Sequence, residues 1–398
     1  MAAGVSRIVR SRAFAAAGGL LALALLVYLA AGWYVAGRIE AGTLRVDHAP
    51  GELRLTIEAV EGNVVTLRAR GDCEDKVCRD GVWGLEWAGG HATIGPIAAP
   101  SDATDGERLR LTAGELSLIV GTFTIGEAAR LESLVYFEPP RRSLGISFED
   151  VKYGSRLGDF AAWFVDGTSD GELDQPDGTW VIYVHGKGSR REEALRILPV
   201  VNALGFPSLM ITYRNDDGAY AGPSGRYEYG ATEWRDLEAA VRYALSAGAQ
   251  DVVLYGYSMG GAIVLSFLYE SSFAGEVRGV ILDAPMLDFR ATVRMGVERG
   301  APGVLVAFSQ WLFARRYDVD WEALDYVSRV DRLTTPVLLF HGSADDVVPF
   351  ETSARLAEAR PDLVQFEPVA GAGHVAAWNT DPRFYEAVVR EFLERVAR

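Results

Sequence analysis

Five continuous apolar runs constrain the fold of this 398-residue chain more than any other feature. They are WVIYVHG (180–186), PSLMITYR (207–214), DVVLYGYS (251–258), RGVILDAP (278–285) and PVLLFHG (336–342). Such runs suit strands buried on both faces of a parallel sheet, because a half-exposed strand would alternate apolar with polar residues. The segments between them have helical spacing. Ser189 and Glu192 make a capping-box pattern that opens REEALRILPVVNALG, and Gly205 closes it. Thr232 can cap a helix carrying Trp234, Leu237, Val241 and Leu245 at helical intervals. Asp381–Pro382 opens a last helix with Phe384, Val388, Phe392 and Val396 expected on one face. Alternating strands and helices predict a doubly wound, mostly parallel α/β domain over residues 143–398. Residues 286–335 are more than a plain crossover needs, with helices expected around Ala301–Arg315 and Trp321–Val330. They form either a small cap over the strand ends, where ligands bind in such sheets, or one long crossover helix with an irregular approach.

The first 142 residues read differently. No charged residue lies between Ala13 and Gly37. That stretch is long enough to cross a bilayer, which takes about 20 helical residues. Arg7, Arg10 and Arg12 precede it, whereas Arg38 and Arg45 follow it beside Glu40 and Asp47. The charge bias predicts a cytoplasmic N-terminus (1–12), a transmembrane anchor (13–37) and an extracytoplasmic remainder. A cleaved signal peptide is the alternative, although its apolar region is typically only about 7–15 residues. Beyond the anchor, period-two alternation with Gly-rich breaks predicts a small all-β domain over 38–142, ending in the linker-like Glu-Pro-Pro-Arg-Arg. It holds no polar cluster that suggests chemistry. Cys73 and Cys78 lie there in GDCEDKVCRDG, and an exported loop favours a disulfide between them. A metal is the competing idea, but two thiols without a nearby histidine fall short of the four ligands of structural zinc. The net charge of −15 excludes nonspecific nucleic-acid binding. Three lysines against 36 arginines read as codon bias in a GC-rich, bacterial genome. Nothing in the sequence speaks to oligomeric state.

GYSMG (256–260) follows a strand directly and precedes the apolar helix GAIVLSFLY. A serine in G-x-S-x-G at that junction sits on a sharp strand-to-helix turn with its hydroxyl exposed at the sheet edge. Ser258 is therefore the expected nucleophile. It needs a base within hydrogen-bond reach, and histidine is the natural one near neutral pH. Of five histidines, His48 and His91 belong to the β-region or its approach, while His185 and His341 end strands. Only His374, in VAGAGHVAAW, lies on a loop after the last core strand. The orienting acid should fall between Ser and His in the chain. HGSADDVVP offers Asp345 and Asp346, and spacing does not choose between them. HGKGS (185–189) follows a strand and opens a helix, so the N–H groups of Lys187 and Met259 are the expected oxyanion donors. A phosphate loop is the rival for GKGS, but the G-x-x-x-x-G-K-[ST] spacing is missing. Arg190 and Arg191 nearby would favour an acidic acyl group, or are simply solvated.

The segments YVHGKGS, ITYRNDDG, GYSMGG, FHGSADDVVP and GAGH occur in one order over residues 143–398. This region resembles the α/β-hydrolases of the serine aminopeptidase-like or prolyl-oligopeptidase-like branch. The resemblance implies that Asp345, the first acidic position after HG-x-x, is the triad acid, with Asp346 its neighbour. It also implies an oxyanion N–H from Lys187. The expected reaction is hydrolysis of an ester, thioester or amide in a small-molecule, lipid or peptide acyl substrate, with neither metal nor organic cofactor. An acyltransferase on the same triad, or a non-catalytic binding protein on the same fold, are the alternatives.

Overall fold

The computed structural model describes residues 2–49, 51–69, 81–95, 97–98, 110–113, 115–167, 178–298 and 303–397. Cys73 and Cys78, with the disulfide expected between them, lie outside the described residues.

A helix runs from Ala2 to Thr43, continuing past the uncharged stretch. Its portion Ala17–Thr43 is long and apolar enough to cross a membrane, which fits either a single-pass anchor or a signal sequence. Its last turns are built into the body of the protein: Ala36, Ile39 and the following Leu44 are buried in the same core as Val184 and Leu254. The Tyr227 N–H donates to the Leu44 carbonyl at 2.9 Å.

Next comes an antiparallel sheet of β1 (Leu55–Glu61), β2 (Val64–Ala69), β3 (Trp83–Trp87), β4 (Gly90–Ile94), β5 (Ile97–Ala98), β6 (Arg110–Ala113), β7 (Ser117–Gly121) and β8 (Ala128–Glu132). Its spatial order is β5-β6-β2-β1-β8-β3-β4-β7. Alternation drives it: Leu55, Ile57, Val65, Leu67, Leu85 and Ala129 turn inward to one core. Asn379 clamps this sheet to the second half of the chain. Its side-chain N–H groups donate to the Val82 carbonyl at 2.7 Å and the Ser133 carbonyl at 3.0 Å.

The second sheet contains β9 (Glu149–Ser155), β10 (Gly158–Val165), β11 (Thr179–Val184), β12 (Ser208–Ile211), β13 (Asp251–Tyr257), β14 (Val277–Asp283), β15 (Val337–Gly342) and β16 (Val364–Val369). The order is β16-β15-β14-β13-β11-β12-β10-β9. Only the β9–β10 hairpin and the β10–β12 pairing are antiparallel; the other pairs run parallel. Every residue of β11, β12 and β15 is buried, as their unbroken apolar runs require. The chain order reverses at β11, which lies between β12 and β13, and this opens the crevice at the carboxyl ends of β11 and β13.

Several local expectations are corrected. The 191–203 segment is not one capped α-helix. It is a 3₁₀ helix (Arg191–Arg196) followed by a short α-helix (Leu198–Ala203), and no side chain caps it. Pro199 lacks the N–H that a continuous helix would need there. Thr232 does not cap the helix Trp234–Ser246. Its hydroxyl instead donates to Glu228, and the Glu233 carboxylate accepts the N–H groups of Glu228 at 2.7 Å and Gly230 at 3.0 Å. Asp381 does cap Pro382–Val396, accepting the Phe384 N–H at 3.0 Å. The buried face of that helix, however, carries Tyr385, Val389, Phe392, Leu393 and Val396, leaving Phe384 outside. Between β14 and β15 the described α-helices are Phe289–Glu298 and Gly303–Tyr317, whereas most of 321–330 forms turns that lead into a 3₁₀ helix at Val330–Arg332.

Candidate active site

Ser258 stands between β13 and the helix Met259–Glu270 with φ 49° and ψ −113°, conformational space that side chains avoid at a cost of about 1–3 kcal/mol. The neighbours hold it there. Its N–H donates to the Asp283 carbonyl, and its own carbonyl accepts the Gly261 and Met286 N–H groups, each at 3.0 Å. The turn needs glycine at two flanking positions. A Cβ on Gly260 would lie 2.0 Å from the Val184 carbonyl oxygen, and one on Gly256 would lie 2.8 Å from that of Gly260.

His374, on the loop after β16, brings Nε2 to 2.8 Å from the Ser258 hydroxyl. Its Nδ1 is 2.7 Å from Asp345 Oδ2. With the proton on Nδ1 donated to the carboxylate, Nε2 is left to accept from the serine hydroxyl. Asp345 is fixed from four sides. Oδ1 accepts the N–H groups of Val347 at 2.8 Å and Val348 at 2.9 Å. Oδ2 accepts a second histidine, His341 Nε2, at 3.1 Å, while the Ser353 hydroxyl holds His341 Nδ1 at 2.7 Å. Burial alone would raise the Asp345 carboxyl, but the hydrogen bonds from His341 and His374 outweigh it and hold the group far below the usual carboxylate range. Asp346, the neighbouring candidate, is exposed.

The His374 loop is held by Arg196, a buried side chain whose guanidinium donates to the Val375 carbonyl and to Asn379 Oδ1, both at 2.9 Å. Val375 has φ 49°, a costly value for a β-branched residue, so this pin stabilises a strained turn beside the imidazole. Opposite lies the loop after β11. The Gly186 N–H donates to Glu193 Oε2 at 2.8 Å, which leaves the N–H of Lys187 next along the loop. A Cβ on Gly186 would come within 3.2 Å of the Ser258 Cβ, so this loop runs close beside the serine. His185 supports it, with Nε2 at 2.9 Å from Asp216 Oδ2 and Nδ1 at 2.9 Å from the Gly186 carbonyl. Burial opposes protonation of His185, but Asp216 and the Gly186 carbonyl together raise its pKa. The Lys187 ammonium reaches back to the Gly42 carbonyl, 2.6 Å away at the end of the N-terminal helix.

Two cavities meet at Ser258, Lys187 and His374. One, of about 410 Å³, is polar, and His48, Glu86, Arg130, Glu132 and Arg190 are among its walls. The other, of about 620 Å³, is largely apolar and has residues of the N-terminal helix and of Phe289–Glu298 in its walls. The β-region therefore does bring a polar cluster to the site, contrary to expectation. Arg130 bridges Glu86 and Glu132, the latter at 3.0 Å, and burial raises the Glu132 carboxyl against the pull of Arg130. These residues are scattered over two strands, so only pairing assembles them. His341 was equally hidden, but its spacing of four from Asp345 at a strand end is the signal that could have found it. Arg191 stacks over Trp163 at 4.2 Å and is absent from both cavity walls, so the suggestion that it selects an acidic acyl group is dropped. Among the described residues no cluster of potential metal ligands occurs.

A mostly parallel sheet with an antiparallel leading hairpin, a strained serine elbow at its switch point and a histidine loop after the last strand are the marks of the α/β-hydrolase fold. Residues 221–397 match the prolyl oligopeptidase family model. The chain is 25% identical over 248 residues to the uncharacterized protein YfhR of Escherichia coli, covering 62% of this chain and 78% of that one. It is 25% identical over 265 residues to the uncharacterized protein Rv2307c of Mycobacterium tuberculosis, covering 65% and 81%. The solved structure of the Pyrococcus furiosus esterase Pf2001 superposes with a TM-score of 0.51 at 21% identity, covering 66% of this chain and 97% of that one. The protein has the α/β-hydrolase fold, and its residues 221–397 are similar to the prolyl oligopeptidase family.

Proposed function

We propose that this protein is a serine hydrolase that cleaves an ester, thioester or amide through an acyl-enzyme on Ser258. The observation that carries the reading is the unbroken relay of Ser258 Oγ, His374 and Asp345, with links of 2.8 Å and 2.7 Å. Ser258 Oγ attacks the carbonyl carbon as His374 Nε2 takes its proton. Asp345 keeps the imidazole in the competent tautomer and stabilises the imidazolium. The N–H groups of Lys187 and Met259 bind the oxyanion, each worth roughly 3 kcal/mol in the transition state. Collapse breaks the bond to the leaving group, which departs with the proton from His374. Water, deprotonated by the same nitrogen, then attacks the acyl-enzyme and releases the acid and the free serine. On this reading residues 13–37 anchor the chain, with the N-terminus cytoplasmic and residues 143–398 beyond the membrane. A cap at 286–335 then overlies the strand ends.

A fluorophosphonate probe tests the chemistry. It should label the wild-type protein and fail on Ser258→Ala, and a folded wild-type protein that resists labelling refutes the assignment. Protease added to intact cells should digest residues 143–398; protection would reverse the orientation.

A further inference from the structure

The two cavities that meet at Ser258 differ in chemistry, and only one involves the N-terminal helix. The larger has Val35, Ile39, Met286, Val293, Val297 and Val348 in its walls. Its volume, about 620 Å³, is in the range of sites that enclose small-molecule ligands. Val35, Ile39 and Thr43 recur every four residues, so one face of the helix forms a wall for about 12 Å at 1.5 Å per residue. At one end of that wall are Lys187 and Ser258. At the other is Val35, inside the uncharged stretch that ends at Gly37.

A second apolar element reaches the same depth. Helix Gly303–Tyr317 lies along the N-terminal helix, with the Phe308 and Tyr28 rings stacked at 5.0 Å. The Arg316 guanidinium lies 4.0 Å over the Trp33 ring. Gly32 permits this approach, since a Cβ there would collide with Phe308. Val304 is 74% exposed and Trp311 55%, on a helix that leans against Tyr28 and Trp33. Apolar side chains held beside a membrane span at that depth suit the lipid interface.

We propose that the larger chamber is an acyl-chain site, entered from the bilayer along the N-terminal helix, and that the substrate is a long-chain acyl ester of an amphiphile. The proposal rests on Ser258 as nucleophile and on the uncharged stretch 13–37 of the N-terminal helix as a membrane span. The chain lies against Val35, Ile39, Val293 and Val297, its carbonyl meets Ser258, and the polar leaving group occupies the cavity at Arg130 and Glu132. Gly42 and Gly296, both in its walls, are open positions, since a Cβ added at either meets no atom within 4 Å.

The test uses the full-length chain in phosphatidylcholine nanodiscs with p-nitrophenyl esters from acetate to palmitate. Wild-type kcat/KM should rise about fourfold per methylene, the yield of burying one CH₂, until the chamber is full. Gly296→Trp, which fills the chamber, and Val35→Trp, which obstructs its outer end, should each lower the laurate-to-acetate ratio at least tenfold. A flat wild-type profile, or variants with the wild-type ratio, overturns the proposal. A photoreactive diazirine palmitate separates this from the chemistry. In the Ser258→Ala background it should crosslink to residues 289–298, and Gly296→Trp should abolish the crosslink. Crosslinking without any wild-type turnover overturns the hydrolase reading and leaves the acyl site standing; absence of the crosslink overturns the acyl site.

Discussion

Replacing Asp345 by asparagine tests the relay where its geometry is most specific. The two oxygens of the carboxylate are not equivalent: Oδ1 accepts two backbone N–H groups, and Oδ2 accepts two histidines. An asparagine must keep its carbonyl at the Oδ1 position. The reverse orientation would point an amide NH₂ at the N–H groups of Val347 and Val348, setting donor against donor and losing both hydrogen bonds, each worth about 0.5–1.5 kcal/mol. The NH₂ therefore faces His374 and can only donate. His374 Nδ1 must then accept, which moves the ring proton to Nε2 and leaves nothing to take the Ser258 proton. The wrong tautomer at this position costs about 10⁴-fold in kcat, or roughly 5 kcal/mol of transition-state stabilisation. Turnover of a short p-nitrophenyl ester would be measured beside Asp346→Asn, whose exposed side chain should leave kcat within about twofold of wild type. A folded Asp345→Asn protein within tenfold of wild type would refute the tautomer reasoning. A loss confined to Asp346→Asn would move the acid by one position.

Three further outcomes follow from the surroundings of the site. Gly260→Ala should destabilise the fold by about 1–3 kcal/mol or more in urea titration, because the new Cβ meets the Val184 backbone carbonyl, which cannot turn away. Arg196→Lys keeps the charge but ends one bond short of Nη1, the single nitrogen that bonds both Val375 and Asn379, so kcat should fall on the order of 10²-fold through displacement of His374, with a smaller change in KM. Stability should depend on pH in two separate windows. The Asp345 carboxyl lies below its unfolded value, so its contribution is present above about pH 4 and lost on acidification. Asp283 behaves oppositely. Burial, against the pull of Arg196 and the Tyr385 hydroxyl, raises it to about 6, so its contribution is present below about pH 4 and lost as pH rises through 6. Thermal melts of Asp283→Asn should lose the decline between pH 4 and 6 while the acid-side loss persists.

The inner strands were legible because burial on both faces leaves unbroken apolar runs, as in β11, β13, β14 and β15. Ser258 and His374 were legible because their residue types and positions relative to strands are restrictive. Choosing Asp345 over Asp346 took the family resemblance, and the coordinates show the physical reason in the two N–H groups and two histidines on one carboxylate. The hairpin β9–β10 was missed because its outer strand is half exposed and largely polar, so it lacks the apolar run of the inner strands. Glu86, Arg130 and His48 were missed because only the antiparallel pairing of β3 with β8 and the docking through Asn379 carry that sheet to the site. Helix ends were misread where buried carboxylates such as Glu233 satisfy backbone groups in place of the expected threonine cap.

The ammonium of Lys187 on the Gly42 carbonyl has a consequence for how such a protein would be handled and regulated. That carbonyl is at the negative end of the helix that carries the uncharged stretch 13–37, and the same lysine lies on the loop beside Ser258. If the helix spans a bilayer, its tilt follows the thickness of the surrounding lipid, and any tilt is delivered mechanically to that loop. Trimming the helix to obtain a freely diffusing protein would remove a wall and a strut together, and under the proposed span and chemistry lipid thickness is then an input to turnover rather than a matter of address.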